Sequence, residues 1–192
     1  MYNFFAYMAR MKLIKRWSLM KSVTQENIAE HSLQVAQIAH ALALIKNKRF
    51  GGNVDADRVA TMAMYHETSE VLTGDLPTPI KYYNPEIRRA YKEIENIANE
   101  KLLTMLPEEL RGEYKELIED TSHPYEQQLV KVADKISAYI KCIEEMRGGN
   151  REFAKAEASL RRSVEDYYHL EEVKYFCDKF IGSFRKTLDE LD

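Results

Sequence analysis

A chain of 192 residues, of which 45 % are apolar and 31 % charged, is long enough to bury a substantial core and has a globular rather than a disordered composition. Its net charge of −3 provides no general attraction to nucleic acids or anionic membranes, and no apolar run approaches the roughly 18 residues that span a bilayer. The N-terminus lacks the order of a signal peptide, so we expect a cytoplasmic protein whose two cysteines stay reduced.

Helical periodicity dominates the chain, and glycine or proline stands at most of the expected helix ends. The predicted helices are, in chain order, a long one that carries the apolar stripe 28–45 and ends before Gly51, then 55–72, 85–105, a shorter one from Pro107 that Gly112 interrupts, 127–146, 151–164 and 168–190. Thr24 is the expected cap of the first helix, and a proline-rich loop follows the second. No sustained alternation predicts a strand, and no repeat or low-complexity linker divides the chain. We therefore predict an all-α single domain over residues 1–192, a compact assembly of helices of unequal length rather than a bundle.

A histidine and two glutamates lie close together near the end of the second predicted helix. In a helix, His66 and Glu70 would share a face, with Glu67 as a neighbour. His66 continues an apolar stripe, so its imidazole should point inward, where carboxylates are costly unless a cation satisfies them. His31 lies in the apolar stripe of the first helix, and Asp134 lies within the apolar run V-K-V-A-D-K-I. Two nitrogen and two oxygen ligands from these residues would suit a transition-metal ion and leave positions for water or substrate.

Spacing and residue type alone leave other interpretations of these residues open. An inward histidine is more often a hydrogen-bonded core residue than a ligand, and an acid after a histidine usually lies on a solvated helix face. Asp134 could instead form a surface ion pair with a lysine, for which the candidates are Lys131, Lys135 and Lys141.

Four segments resemble the bacterial 5′-deoxynucleotidases of the HD-domain superfamily of metal-dependent phosphohydrolases. They are R-W-S-L-M-K, E-N-I-A-E-H-S-L-Q-V-A, H-E-T-S-E-V-L-T-G-D-L-P-T-P-I-K-Y and K-V-A-D-K-I-S-A-Y-I-K-C, and the similarity extends from Phe4 to about Leu188. The resemblance implies an HD-domain-like helical fold and the hydrolysis of deoxyribonucleoside 5′-monophosphates to deoxyribonucleoside and phosphate. It also implies a divalent metal cofactor, with cobalt or manganese as the expected ions.

The resemblance assigns roles to individual positions. The implied metal ligands are His31, His66, Glu67 and Asp134. Two of them, His31 and Asp134, are also expected to contact the substrate. Glu70 matches the catalytic carboxylate, which activates or orients the attacking water. Arg16 is expected to orient the phosphate through its guanidinium fork, and Trp17, the only tryptophan, to lie against the sugar and help exclude a 2′-hydroxyl.

The loop after Gly74 is also implied to contact substrate, with Asp75 near the deoxyribose hydroxyl. Its prolines stiffen it and hold its side chains ready for ligand. The expected contact residues are Asp75, Leu76, Pro77, Thr78 and Lys81, the last adding positive charge for the phosphate. From the residues alone, Arg16 could lie on a solvated basic face, Trp17 could be a core anchor and the loop could be a rigid connector.

The chain departs from the family pattern at one position, because the usual His-Asp pair is His66-Glu67 here. Glutamate is longer by one methylene, so it reaches an ion from a different position or binds in a different mode. Two alternatives follow. One is another HD-type phosphohydrolase acting on nucleoside diphosphates, triphosphates or cyclic nucleotides. The other is a nucleotide-binding protein whose activity Glu67 has weakened.

The resemblance further suggests a homodimer, whereas no nucleic acid polymer and no membrane is expected as a partner. The aromatic N-terminus is one candidate for the subunit interface, together with Leu42, Leu44 and Ile45. The tyrosines expected to pack between helices are Tyr82, Tyr83 and Tyr139.

Overall fold

The structure is a computed structural model, and it describes residues 1–81, 83–119 and 122–192. In these ranges the fold is all-α, as predicted, and extended pairing is confined to one isolated antiparallel bridge between Lys15 and Asn27. The α-helices are α1 (Phe4–Met8), α2 (Ile28–Arg49), α3 (Ala56–Met64), α4 (Glu70–Thr73), α5 (Thr78–Lys81), α6 (Pro85–Leu103), α7 (Glu108–Ile118), α8 (Pro124–Arg147), α9 (Ala154–Glu165) and α10 (Glu171–Phe180). The short 3-10 helices are Met11–Leu13, Arg151–Phe153, Ile181–Arg185 and Leu188–Glu190. Within the described ranges, no helix is both long and apolar enough to cross a membrane.

The first of two compact units consists of Met1–Leu19, Gln25–Ser32 and Tyr65–Ser122. Its core is an apolar cluster of Phe4, Met11, Ile28, Val71, Leu102, Leu103 and Leu106. The Phe4 ring packs edge-on against Tyr114, with ring centroids 5.2 Å apart. Because this core holds α1, α4, α6 and the start of α2 together, it fixes the segments that carry the predicted site residues from 16 to 81.

The second unit consists of Met20–Thr24, Leu33–Met64 and His123–Asp192. Helix α8 is its central element, packs against α3 and α9, and buries Ile136 and Ile140 completely. Near the end of α8, the Glu145 carboxylate accepts hydrogen bonds from the backbone N–H groups of Val23 (2.7 Å) and Thr24 (3.2 Å). This carboxylate therefore anchors the segment 20–24 to α8. The prediction of a single domain over residues 1–192 stays a prediction.

Helix α2 confirms the first predicted helix but has a different cap. The side-chain oxygen of Asn27 accepts from the N–H groups of Ala29 and Glu30, both at 3.0 Å. Thr24 lies farther back, where its backbone is bound by Glu145. The prediction of Thr24 as the cap is therefore wrong.

The predicted helix over 55–72 is broken, since α3 ends at Met64 and α4 begins only at Glu70. The intervening turn uses short-range bonds, from the N–H of Thr68 to the carbonyl of Tyr65 and from the N–H of Glu70 to the carbonyl of Glu67, each at 3.1 Å. The Thr68 hydroxyl also donates to the Tyr65 carbonyl, at 2.6 Å. A threonine that bonds the nearby backbone competes with the regular helix. The prediction that residues 66 and 70 share a face of one continuous helix is therefore wrong.

Two predictions about later helices are also wrong. Helix α7 runs through Gly112 without interruption, because a single glycine costs only about 1 kcal/mol relative to alanine and packing overrides it. The long helix predicted over 168–190 is instead α10 followed by two 3-10 helices, the first of which contains Gly182.

The tyrosine predictions have different outcomes. Tyr139 is buried on α8, as predicted. Tyr83 is 78 % exposed, so its predicted packing between helices is wrong. Tyr82 lies outside the described residues. Cys142 is buried and Cys177 is half-buried, and neither forms a disulfide.

Candidate functional site

Backbone pairing between residues 14–16 and residues 26–28 positions Arg16 and the adjacent Trp17. The N–H of Arg16 donates to the carbonyl of Glu26, and the N–H of Ile28 donates to the carbonyl of Ile14, both at 3.0 Å. Asn27 then starts α2, which places His31 in the first turns of that helix. Backbone pairing and helix capping thus place residues 16, 17, 26 and 31 close together, although the sequence separates them by up to 15 positions.

Trp17 adopts a left-handed backbone conformation, with φ of +58°. This region is unfavourable for a residue with a Cβ atom, at about 1–2 kcal/mol. The indole Nε1–H of Trp17 donates to Oε2 of Glu26 at 2.7 Å. This short hydrogen bond holds the only tryptophan of the chain in its strained conformation.

Glu26 is a site residue that the sequence analysis missed. Its Oε2 atom also lies 3.4 Å from Nε of Arg16, and its Oε1 atom lies 3.7 Å from Nδ1 of His31. Burial by itself would raise the pKa of Glu26, but His31, Arg16 and Trp17 outweigh it and lower that pKa. Glu26 is the first residue of the quoted segment E-N-I-A-E-H-S-L-Q-V-A, but spacing did not indicate its role, because two of its three partners lie about ten residues earlier in the chain.

The turn between α3 and α4 carries His66 and Glu67. Nε2 of His66 lies 3.4 Å from Oε1 of Glu67, and the rings of His31 and His66 have centroids 5.3 Å apart. One potential ligand atom from each of His31, His66 and Glu67 lies within 4.8 Å of the others. Two imidazole nitrogens and a carboxylate oxygen at this spacing form a donor set that fits a transition-metal ion. The structure therefore brings three of the predicted ligands together within the first unit.

Arg16 contacts the same cluster. Its Nη1 atom lies 3.7 Å from Oε1 of Glu67, so the guanidinium lies within reach of two carboxylates, those of Glu26 and Glu67. A guanidinium in this place can neutralise the acids and still direct donors towards a phosphate.

Glu70 begins α4 and is only 3 % exposed. Its Oε2 atom is buried, with no hydrogen-bond partner among the residues that the structure describes. Burial raises the pKa of Glu70, and the negative charge of Glu67 raises it further, while Arg16 lowers it. A buried carboxylate oxygen without a partner is unfavourable, and such atoms are often found where a ligand or water completes the site.

The predicted substrate loop begins at Gly74, whose φ of +74° favours glycine. Asp75, Leu76 and Pro77 are half-buried and Thr78 is exposed at the start of α5, a short helix where the sequence predicted only a loop. Burial raises the pKa of Asp75, and the charges acting on its carboxyl include those of Arg16 and Glu67. The carboxyl of Asp75 therefore interacts electrostatically with Arg16 and Glu67.

Lys81 is engaged by a different partner from the predicted phosphate. Its Nζ atom donates to Oε1 of Glu95 at 2.8 Å and lies 4.9 Å from the centre of the Tyr91 ring. Burial alone would lower the pKa of Lys81, but Glu95 outweighs it and raises that pKa. The positive charge of this lysine is thus largely balanced within the protein.

Asp134, the fourth predicted ligand, belongs to the second unit. It lies on α8 next to the buried Ala133 and is itself partly exposed. Of the lysines considered as its partners, Lys141 is buried, and its Nζ atom contacts Oε1 of Glu145 at 2.5 Å.

Comparison with known proteins identifies the family. The family described as 5′-deoxynucleotidase YfbR-like matches residues 3–184 of this chain. A 5′-deoxynucleotidase of Vibrio cholerae is 57 % identical over 190 residues, which make up 98 % of this chain and 97 % of that protein.

Solved structures show the same fold. An HD-domain phosphohydrolase of Listeria innocua superposes with a TM-score of 0.84 at 22 % identity, over 95 % of this chain and 88 % of that one. An HD phosphohydrolase of cyanophage S-2L, solved with dA and one catalytic Zn²⁺ ion, superposes with a TM-score of 0.64 at 19 % identity, over 93 % and 96 % of the two chains. The family match over residues 3–184 and the shared HD-domain fold lead to one conclusion: this chain belongs to the YfbR-like family of 5′-deoxynucleotidases and is a metal-dependent phosphohydrolase.

Proposed function

We propose that His31, His66, Glu67 and Asp134 hold the divalent ion with which this 5′-deoxynucleotidase hydrolyses deoxyribonucleoside 5′-monophosphates. The observation that carries the proposal is the set of two imidazoles and one carboxylate whose ligand atoms lie within 4.8 Å in the first unit. Asp134 is added as the fourth ligand because it matches the family motif. A bound divalent ion would make water a stronger nucleophile and offset negative charge on the phosphoryl oxygens.

Arg16 is proposed to bind the phosphate of the substrate. The contacts of its guanidinium with Glu26 and Glu67 support this role, since they hold the group at the edge of the proposed metal site. The planar fork can donate to two phosphoryl oxygens at once. Trp17 is proposed to pack against the sugar and to leave a 2′-hydroxyl without room or a partner.

Glu70 is proposed as the acid–base residue of the reaction. Water attacks phosphorus as the bond from phosphorus to the 5′-oxygen breaks, so one proton leaves the water and one is needed by the departing oxygen. Glu70 takes the first proton and returns it to the 5′-oxygen. The buried Oε2 atom of Glu70, which has no hydrogen-bond partner among the described residues, supports this role, because it leaves a carboxyl oxygen available to exchange a proton with water or substrate.

The remaining substrate contacts are proposed to come from the loop. They are Asp75 near the deoxyribose hydroxyl, the neighbouring Leu76, Pro77 and Thr78, and His31 and Asp134 beside the metal. Lys81 is proposed to attract the phosphate electrostatically without binding it directly, because Glu95 accepts a hydrogen bond from its ammonium group.

The metal is proposed to be cobalt or manganese, following the family resemblance, and the site's nitrogen and oxygen donors suit both. A cytoplasmic location and a homodimer are proposed on the same basis. Leu42 cannot contribute to a subunit interface, because it is fully buried in the second unit. Leu44, which is 39 % exposed, remains a candidate.

The test is phosphate release by the purified protein after metal analysis of the protein as isolated. With cobalt, we expect phosphate from dAMP, dGMP or dTMP and much less from the matching ribonucleotides. A chelator should abolish release, and cobalt or manganese should restore it. Equal rates with AMP and dAMP would contradict the specificity, and unchanged activity after complete metal removal would contradict the metal site.

A further inference from the structure

The carboxylate of Glu26 contacts three residues of the proposed site, each with a different role there. Its side chain is 11 % exposed. Oε2 accepts from the Trp17 indole at 2.7 Å and faces Nε of Arg16 at 3.4 Å, while Oε1 faces Nδ1 of His31 at 3.7 Å. No other role is proposed for Glu26 in the reaction, and it is not one of the proposed ligands.

All three partners present a nitrogen to Glu26, the Trp17 indole in a hydrogen bond and Arg16 and His31 at ion-pair distance. The indole and the guanidinium can only donate, and an imidazole donates from Nδ1 when that nitrogen carries the proton. An ionised carboxylate only accepts, so it suits all three at once. A glutamine of the same size has one accepting oxygen and one donating amide group. It can therefore accept through one atom only, and its amide group would face a second donor.

We propose that Glu26 is a positioning residue that couples metal binding at His31 to substrate recognition by Arg16 and Trp17. The inference rests on the proposed function, because it uses the roles assigned there to the three partners. Glu26 acts through them and does not itself touch the reacting atoms.

The coupling to the metal follows from the chemistry of the imidazole. A carboxylate facing Nδ1 favours the tautomer with the proton on Nδ1, which leaves the lone pair of Nε2 for an ion. An ion held by Nε2 would make the Nδ1–H a stronger donor to Glu26. Metal binding therefore tightens the hold of Glu26 on the ring, and removal of the carboxylate weakens metal binding.

The coupling to substrate follows from the strained backbone of Trp17. At φ of +58°, this residue would relax towards a commoner conformation without its anchor. The bond to Glu26 supplies that anchor, and the same carboxylate orients Arg16. Loss of the carboxylate should therefore displace the sugar-packing and phosphate-binding groups together.

The test compares Glu26→Gln and Glu26→Asp with the wild type and with the control Glu30→Gln. Glu30 is an exposed acid in the same segment and has no assigned role. The first measurement is the affinity of metal-free protein for Zn²⁺ alone by calorimetry. The second is the fluorescence of Trp17 during the same titration, which is specific because the chain has one tryptophan. The third is the ratio of kcat/KM for dAMP to that for AMP.

For Glu26→Gln, we expect Zn²⁺ affinity to fall about 10–100-fold. The fluorescence response of Trp17 to the metal should be lost, and the dAMP to AMP ratio should fall about tenfold. Glu26→Asp keeps the charge and should retain more of each property, while Glu30→Gln should match the wild type. In a Trp17→Phe background, Glu26→Gln should change the dAMP to AMP ratio little further.

Two results would overturn the proposal. One is a folded Glu26→Gln protein, verified by circular dichroism and thermal unfolding, that binds Zn²⁺ with wild-type affinity. The other is a fluorescence response to the metal that persists in this variant. The metal and fluorescence measurements do not depend on turnover. A wild-type protein that binds Zn²⁺ and responds through Trp17 but releases no phosphate would therefore contradict the proposed function and leave the role of Glu26 supported.

Discussion

Arg16 and Glu67 contact each other through Nη1 and Oε1, which lie 3.7 Å apart. The acid proposed to bind the metal thus also faces the guanidinium proposed to bind the phosphate. Arg16 attracts the negative charge of Glu67, and a bound divalent ion would do the same. A change at position 67 is therefore expected to affect metal binding and phosphate binding together, and not one of them alone.

The Glu67 carboxylate is expected to be a direct metal ligand, despite its length. Glu67→Gln keeps the shape but removes the charge, so metal affinity should fall by more than the roughly 10–100-fold of an outer-shell change. Glu67→Asp keeps the charge and should retain affinity within about tenfold. Calorimetry of Co²⁺ binding to metal-free protein measures both. Wild-type affinity in Glu67→Gln would contradict direct ligation, and a sharp rise of activity in Glu67→Asp would mean that the extra methylene impairs catalysis.

Glu70→Ala is expected to keep the metal and lose turnover. Removal of a general acid–base typically reduces kcat by about 10²–10⁴-fold, and Glu70 is not among the proposed ligands. Single-turnover phosphate release and Co²⁺ calorimetry separate the two effects. Glu70→Gln is the matched variant that preserves volume. It should be as inactive as Glu70→Ala and at least as stable to urea as the wild type, because a buried carboxyl has become a neutral amide. Turnover of Glu70→Ala near the wild-type rate would exclude the proposed role.

Trp17→Ala is expected to reduce the preference for deoxyribonucleotides. Packing against a sugar discriminates a small group by roughly 1–3 kcal/mol, so the ratio of kcat/KM for dAMP to that for AMP should fall about tenfold or more. Competition assays with both nucleotides measure this ratio directly. Trp17→Phe retains an aromatic ring and is expected to keep part of the preference. An unchanged ratio in Trp17→Ala would assign the discrimination to other residues.

Low pH should lower the free energy of unfolding of the second unit, because it protonates the carboxylate of Glu145. Burial alone would raise the pKa of this carboxyl, but hydrogen bonds from Lys141, Val23, Asn150 and Thr24 lower it to about 2. Since this value lies below the ordinary 4.5, the ionised group stabilises the fold fully above about pH 4.5. That stability is then lost as the pH falls towards the folded-state pKa.

Urea unfolding at several pH values, with the variant Glu145→Gln, checks this expectation. The variant should be less stable than the wild type by about 2–4 kcal/mol near neutral pH, and the difference should shrink as the medium becomes acidic. The neighbouring exposed Glu144 provides the control, since Glu144→Gln should change the free energy of unfolding by less than about 0.5 kcal/mol. A difference between Glu145→Gln and wild type that is independent of pH would argue against a role for the carboxylate charge.

Local sequence predicted the helices well where apolar spacing was regular and poorly where polar side chains bonded the backbone. The stripe from Ile28 predicted α2, but its cap had to be found at Asn27, because Thr24 is bound by a distant carboxylate. His66 and Glu67 were identified as candidates on the assumption of a continuous helix. They instead lie in a turn stabilised by Thr68, and their grouping with His31 depends on how the first unit packs.

The sequence by itself determined the helical class, the residue types of the site and, through its motifs, the enzyme family. Such information is local, because periodicity and motifs are read along neighbouring residues. Only the tertiary structure decided that Glu26 meets Arg16, Trp17 and His31, and that Lys81 pairs with Glu95. The side chains in these pairs are separated by five to fourteen residues along the chain. The repeat of a helix or a strand does not bring residues at these separations into contact. Backbone pairing and core packing, which depend on the whole unit, make those contacts.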